Sequence, residues 1–184
     1  MVLRIKNMCC PRCIDAVKSI LVQMGLAVSD VFLGEAIVEE TLTTEQETEL
    51  SARLKERGFE LLDDPRSCLV EAIRVAVLQW VRKENCRQKL SDYITQQLNR
   101  DYSSLSKLFS QVRGITLEHY AIQHRVEYAK ELLSYSIVTI SEIAYQLGYS
   151  SPAHFASQFK QFTGMSPKAF RELGSRNRRF LDEF

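Results

Sequence analysis

The sequence predicts an α+β chain, with a small domain of four strands and two helices followed by an all-α domain. Three observations carry this. Residues 1–64 alternate short period-two apolar runs with two helical stretches. Residues 90–170 show helical periodicity alone, and the same apolar and glycine positions recur there at a spacing of 50 residues. The charge also changes sign between the parts. Residues 1–64 carry 7 Lys/Arg against 12 Asp/Glu, net −5, and residues 65–184 carry 17 against 11, net +6. A basic second part suits a phosphate-bearing partner, whereas the acidic first part does not.

In the first part, Val2-Leu3-Arg4-Ile5-Lys6 alternates apolar and basic residues, the pattern of a half-buried strand. A helix follows with Ile14, Val17, Ile20, Leu21 and Met24 on one face, closed by Gly25. Val28–Leu33 and Ala36–Glu40 read as two strands meeting at Gly34-Glu35. Thr44-Glu45-Gln46-Glu47 opens a second helix through Leu50, Leu54 and Arg57, and Phe59–Leu62 is a last strand. The order strand–helix–strand–strand–helix–strand is that of the ferredoxin-like βαββαβ fold. Asp63-Asp64-Pro65-Arg66-Ser67 is polar and broken by proline. The expected domains are therefore 1–64 and 65–184, with the linker at about 63–67.

Three of the five cysteines crowd into the first loop, as Cys9, Cys10 and Cys13. An odd, clustered count argues for thiolate chemistry rather than a disulfide framework. Cys10 and Cys13 stand three apart at a helix start, where the helix dipole favours thiolates. Two converging thiolates with few other ligands suit a soft ion such as Cu(I) or Hg(II). Zn(II) ranks below these because a closed tetrahedral site needs four ligands, and no histidine lies in this part. Cys9 can supply a third sulfur. A redox couple and a vestigial thiol pair are the rival readings.

The run Asn7-Met8-Cys9-Cys10-Pro11-Arg12-Cys13 resembles the metal-binding loop of heavy-metal-associated domains, and the likeness extends over residues 1–64. That resemblance implies Cys10 and Cys13 as the metal ligands. It also implies Met8 as an apolar anchor beneath the loop and Phe59 as a shield beside the metal. Asn7 and Cys9 depart from the pattern, standing where the family has glycine and threonine.

In the second part, Leu69, Ile73, Ala76, Val77 and Trp80 lie at helical spacing. Cys68 and Cys86 flank that helix and read as small buried hydrophobes. Thr139 and Glu142 then form a capping box, and Ile140, Ile143, Ala144 and Leu147 an apolar stripe. Gly148 ends this helix, and Ser151-Pro152 starts another with Phe155, Phe159 and Phe162 on one side. This is a helix-turn-helix. Leu105, Phe109, Gly114, Thr116 and Tyr120 lie 50 residues before Phe155, Phe159, Gly164, Ser166 and Phe170, so the unit occurs twice. Between the copies, Leu117–Ser134 reads as one long helix holding them at fixed spacing. Two reading helices on one chain must enter successive major grooves of double-stranded DNA, about 34 Å apart.

Residues 68–173 resemble the DNA-binding domain of AraC/XylS-type transcription regulators. The likeness rests on Ser141–Ala144, Gly148–Ser151, Phe155, Gln158-Phe159-Lys160, Phe162-Thr163-Gly164 and Ser166-Pro167. It implies recognition helices at Tyr102–Val112 and Pro152–Phe162. The base-facing positions would be Ser103, Ser106 and Lys107 in the first, and Pro152, Ala153, Ala156 and Ser157 in the second. The first set can donate to base edges, while the second is small and mostly apolar. Arg100, Lys107, Arg113, Lys160, Lys168 and Arg171 would contact phosphates.

No phosphate-binding glycine loop, catalytic carboxylate pair or Ser/His/Asp arrangement is visible, so an enzyme is not expected. The enzyme-class rival, a methyl-accepting repair protein fused to such a domain, would want four clustered cysteines rather than three. His119, His124 and His154 are too scattered for a metal site, and Arg176, Arg178 and Arg179 form a basic tail. No apolar run approaches the ~18 residues of a membrane span, and the N-terminus lacks a secretory signal's apolar stretch. The expectation is a soluble, cytoplasmic, metal-responsive transcription regulator that needs no cofactor for DNA binding itself. RNA polymerase and a second copy of the chain are left open as protein partners.

Overall fold

A computed structural model describes residues 1–83, 88–135 and 138–173. Cys86 and the Arg176–Arg179 tail lie outside the described residues. The elements run β1 (Val2–Lys6), α1 (Pro11–Gln23), β2 (Val28–Phe32), β3 (Glu35–Val38), α2 (Thr44–Glu56), β4 (Glu60–Leu62), α3 (Pro65–Arg82), α4 (Leu90–Leu98), α5 (Tyr102–Arg113), α6 (Leu117–Tyr135), α7 (Ile140–Gln146), α8 (Pro152–Thr163) and α9 (Pro167–Leu173). The chain is thus α+β, with a small antiparallel sheet and a helical part that carries the helix-turn-helix units. It divides into two compact units, Met1–Val75 and Ala76 onward.

In the first unit the strands are ordered β2-β3-β1-β4, every neighbour antiparallel. The alternation in β1 sends Leu3 and Ile5 inward and leaves Val2 and Arg4 exposed. Register follows from burial, since a one-residue slip would turn the apolar set outward. Leu3 accordingly pairs with the buried Ala36, and Ile5 with Leu61. Val17, Ile20 and Leu21 of α1 and Leu50 and Leu54 of α2 close one core with Leu3, Ile5, Ala36 and Val38. Both helices therefore cover the same sheet face.

Two local expectations shift by one residue. The N-cap of α2 is Thr43 rather than Thr44, in a capping box with Gln46. Thr43-x-x-Gln46 and Thr44-x-x-Glu47 both fit the pattern, and the earlier pair starts the helix one residue sooner. The β2–β3 turn is Leu33-Gly34, because Phe32 pairs directly with Glu35. Gly34 has φ +81, and a Cβ there would stand 2.9 Å from Val75 Cγ2. Glycine is required on both counts.

The sequence expectation put the joint at about 63–67, which is where β4 ends and α3 begins. The compact units part later, between Val75 and Ala76 within α3. The first half of that helix brings Glu71, Arg74 and Val75 against the β2–β3 turn and the cysteine loop. A composition shift along the chain cannot signal such contacts.

The second unit repeats one design. Asp101 caps α5 by accepting from the Ser104 amide, and Ser151 caps α8 by accepting from the His154 amide. Thr139 and Glu142 form the reciprocal capping box of α7. Leu105 and Phe109 are buried in the first copy, Phe155 and Phe159 in the second. The Phe109 and Tyr120 rings stand 5.1 Å apart, and their counterparts Phe159 and Phe170 stand 5.6 Å apart. Farther along α6, Val126, Ala129 and Leu133 join Ile143, Ala144, Leu147 and Phe155 in the second core. The helix between the copies therefore serves both. Among the described residues, no helix is long and apolar enough to cross a membrane.

Candidate thiolate cluster and nucleic-acid interface

The turn from β1 to α1 gathers the three cysteines. Asn7 takes φ +73, a conformation that asparagine tolerates better than other non-glycine residues. Its side chain also donates to the Gly58 carbonyl at 2.9 Å. This accounts physically for asparagine at a position where the resembled loop has glycine. Cys10 is the N-cap of α1, Pro11 begins the helix, and the Cys13 amide donates to the Cys10 carbonyl at 3.0 Å. The sulfurs of Cys10 and Cys13 stand 3.6 Å apart and those of Cys9 and Cys13 3.9 Å. All three lie within 4.8 Å of one another, and no His, Asp or Glu joins the group among the described residues. Each cysteine is half-buried. Met8 and Phe59 are both buried in the core of this unit.

The thiols differ in acidity. Burial is the largest influence on Cys10 and opposes ionisation, but hydrogen bonding from the Cys13 backbone and thiol outweighs it and lowers the pKa. Cys9 is pushed up to about 12, by burial first and then by the charges of Cys13 and Cys10. Sequence reasoning gave no sign of what holds the loop from outside. Arg74, buried on α3, donates from Nη2 to the Met8 carbonyl at 2.5 Å, and its guanidinium makes two bonds to Glu71, at 2.7 and 2.9 Å. Arg74 lies 66 residues from Met8, so no local pattern could reveal the contact. Three sulfurs with no competing hard ligand form a set that fits a soft metal ion.

On the helical side, Ser103 and Lys107 are exposed and Ser106 half-buried on α5. Ala153 and Ser157 are exposed and Pro152 and Ala156 half-buried on α8. The two faces match because Leu105/Phe109 and Phe155/Phe159 fix the same helical phase. Ser103 Oγ donates to Asp101 Oδ2 at 2.7 Å, within the α5 cap. Gln161 was not singled out from the sequence. It is exposed one turn after Ser157, and its amide has the two-point geometry that reads adenine. The i+4 spacing from Ser157 was the available signal.

Of the expected phosphate contacts, Arg100, Lys107, Lys160 and Lys168 are exposed. Arg113 is half-buried with its guanidinium 5.8 Å from the centre of the Tyr120 ring. Arg171 is half-buried and donates to the Val138 carbonyl at 2.8 Å, joining α9 to the approach to α7.

Residues 94–173 match the family model described as a helix-turn-helix domain. An uncharacterized HTH-type transcriptional regulator of Staphylococcus aureus is 41% identical over 83 residues, which are 45% of this chain and 11% of that protein. The chain thus spans about a tenth of the length of such relatives. The uncharacterized HTH-type transcriptional regulator YdeC of Bacillus subtilis is 23% identical over 164 residues, covering 88% of this chain and 53% of the relative. Among solved structures, the C-terminal domain of AraT, a response regulator from Geobacillus stearothermophilus, shares the fold. It superposes with a TM-score of 0.51 at 23% identity, over 66% of this chain and 98% of that one. The Staphylococcus and Bacillus relatives are named as transcriptional regulators, and AraT as a response regulator. The duplicated caps, cores and exposed faces described above fall within the residues that match this helix-turn-helix model.

Proposed function

We propose that the chain is a sequence-specific DNA-binding transcription regulator whose first unit is a ferredoxin-like, heavy-metal-associated domain controlling the second. The observation that carries the DNA-binding part is the repeated reading helix, with α5 and α8 presenting equivalent exposed faces over equivalent cores. Lys107, Arg100, Lys160 and Lys168 supply cations around those faces. Ser106 and Lys107 give α5 the richer set of base-edge donors, with the Ser103 hydroxyl, already donating to Asp101, able to accept, while Ala153 and Ala156 suit thymine methyls. Gln161 adds one donor–acceptor side chain to α8.

The strand order β2-β3-β1-β4 and the helices on one sheet face support the ferredoxin-like reading. The sulfur cluster supports the metal reading, with Cys10 and Cys13 as the ligands the resemblance implies and Cys9 within reach. A soft ion bound there would neutralise thiolate charge and fix the sulfur spacing. Asn7, bonded to the Gly58 carbonyl, and Arg74, on the Met8 carbonyl, hold the segment leading into the loop. Any control of DNA binding equals the ion's differential affinity for the competent and incompetent states, and no more.

The test selects preferred duplexes from a random pool with the purified chain. It then measures their affinity under anaerobic reduction with and without Cu(I). A selected sequence bound far above random duplex, with an affinity that moves on Cu(I) addition, supports the whole reading. Equal affinity in the two conditions removes metal control and leaves DNA binding. A response to oxidant in metal-free buffer would make the same thiols a redox switch.

A further inference from the structure

We propose that Cys9 completes a three-sulfur site whose preferred occupant is a trivalent soft ion in trigonal-pyramidal thiolate coordination, the class that trivalent arsenic represents. This rests on the reading of the loop as a metal site and goes beyond its two-sulfur form. The argument begins with spacing. Three sulfurs each about 2.3 Å from one ion stand about 4.0 Å apart if the ion lies in their plane, and closer if it sits above it. The observed separations are 3.6 and 3.9 Å, with all three sulfurs inside 4.8 Å. These separations lie near the planar limit, so a pyramidal ion would draw the sulfurs closer by side-chain rotation about Cα–Cβ, leaving the backbone of the loop in place.

Position is set from both sides. Cys9 directly follows Met8, whose carbonyl is held by the buried Arg74, and directly precedes the N-cap residue Cys10. A third sulfur so placed is part of the loop's backbone geometry rather than a side chain swinging on a free segment.

Charge then selects among soft ions. Three thiolates sum to three negative charges, and the described residues add no carboxylate or imidazole to the group. A monovalent ion leaves two net charges in a half-buried site and a divalent ion one, while a trivalent ion leaves none. Soft sulfur ligands favour a soft ion over a hard one of equal charge. With arsenous acid as the entering form, three As–O bonds break and three As–S bonds form. Each thiol proton leaves with a hydroxide as water, so three waters are released and arsenic stays trivalent.

The experiment uses the full chain, anaerobic and reduced, with arsenite and with Cu(I) as separate probes. Cys9→Ser is compared with wild type, and Cys68→Ser is the control. We expect native mass spectrometry to find one arsenic per chain in wild type and in Cys68→Ser. X-ray absorption should show three sulfur neighbours, and Cys9→Ser should lose arsenic at equimolar arsenite. Cu(I) retained by Cys9→Ser shows that the loop still folds. Equal arsenite binding by Cys9→Ser and wild type overturns the proposal, as does wild type that binds Cu(I) but no arsenite. Both of those outcomes leave the two-sulfur metal site standing. Wild type that binds neither probe overturns the site and this proposal together.

Discussion

Cys9 and Cys10 are neighbours in sequence, yet their thiol acidities are shifted in opposite directions. Cys10 gains hydrogen bonds from the Cys13 backbone, against the opposing effect of burial, and is the more acidic. Cys9 is half-buried and repelled by the other two, and is pushed up to about 12. Near neutral pH, iodoacetamide should therefore label Cys10 well before Cys9 in the metal-free protein, as peptide mapping by mass spectrometry would show. Cys9 should become reactive only as pH rises toward its own range. Replacing Cys10 by serine removes one of the charges that raises Cys9, so its labelling should then start at lower pH. A second residue-scale constraint sits at Gly34. An alanine there must hold φ near +81 and press on Val75, so Gly34→Ala should destabilise by about 1–3 kcal/mol in urea unfolding.

At the scale of elements, α7 shows how a short helix is held. Its seven residues end in no basic side chain, and the Thr139–Glu142 capping box satisfies its first amides. Thr139→Ala should lower stability by about 1 kcal/mol near neutral pH. Glu142 is hydrogen-bonded by Thr139 and its carboxyl is held below the usual value. A depressed folded pKa gives stability that is present above the unfolded value and lost as pH falls through the folded one. The penalty for Thr139→Ala should therefore shrink in acid, which thermal melts at the two ends of that window can measure. Boxes of this kind were legible in sequence because partners three residues apart state the geometry locally. So were α8 and the strand alternation of β1. The α2 cap was off by one because two overlapping threonine patterns compete. What could not be read were contacts made by distant residues. Arg74 on the Met8 carbonyl and Val75 beneath Gly34 make the first half of α3 part of the sheet unit. Continuous burial from Ile73 to Leu78 likewise exceeds the single apolar stripe that the spacing predicts.

For the molecule as a whole, DNA affinity should fall steeply with salt. The two arginine and lysine groups should separate by role. Lys107→Ala removes an exposed cation on α5, so it should reduce the slope of log affinity against log salt by about 1. Arg171→Ala should leave that slope nearly unchanged and lower the melting temperature instead, because its guanidinium is spent on the Val138 carbonyl. Fluorescence titration over several salt concentrations, paired with thermal melts, distinguishes the two outcomes. The duplication has a further consequence for engineering. In both copies the inward positions, Leu105/Phe109 and Phe155/Phe159, are separate from the outward ones. The outer residues of α5 can therefore be written onto α8, placing Ser103, Ser106 and Lys107 at positions 153, 156 and 157, without altering either core. Such a chain should melt close to wild type and prefer a tandem target in which one half-site is repeated, making the fold a two-slot reader whose slots accept the same cartridge.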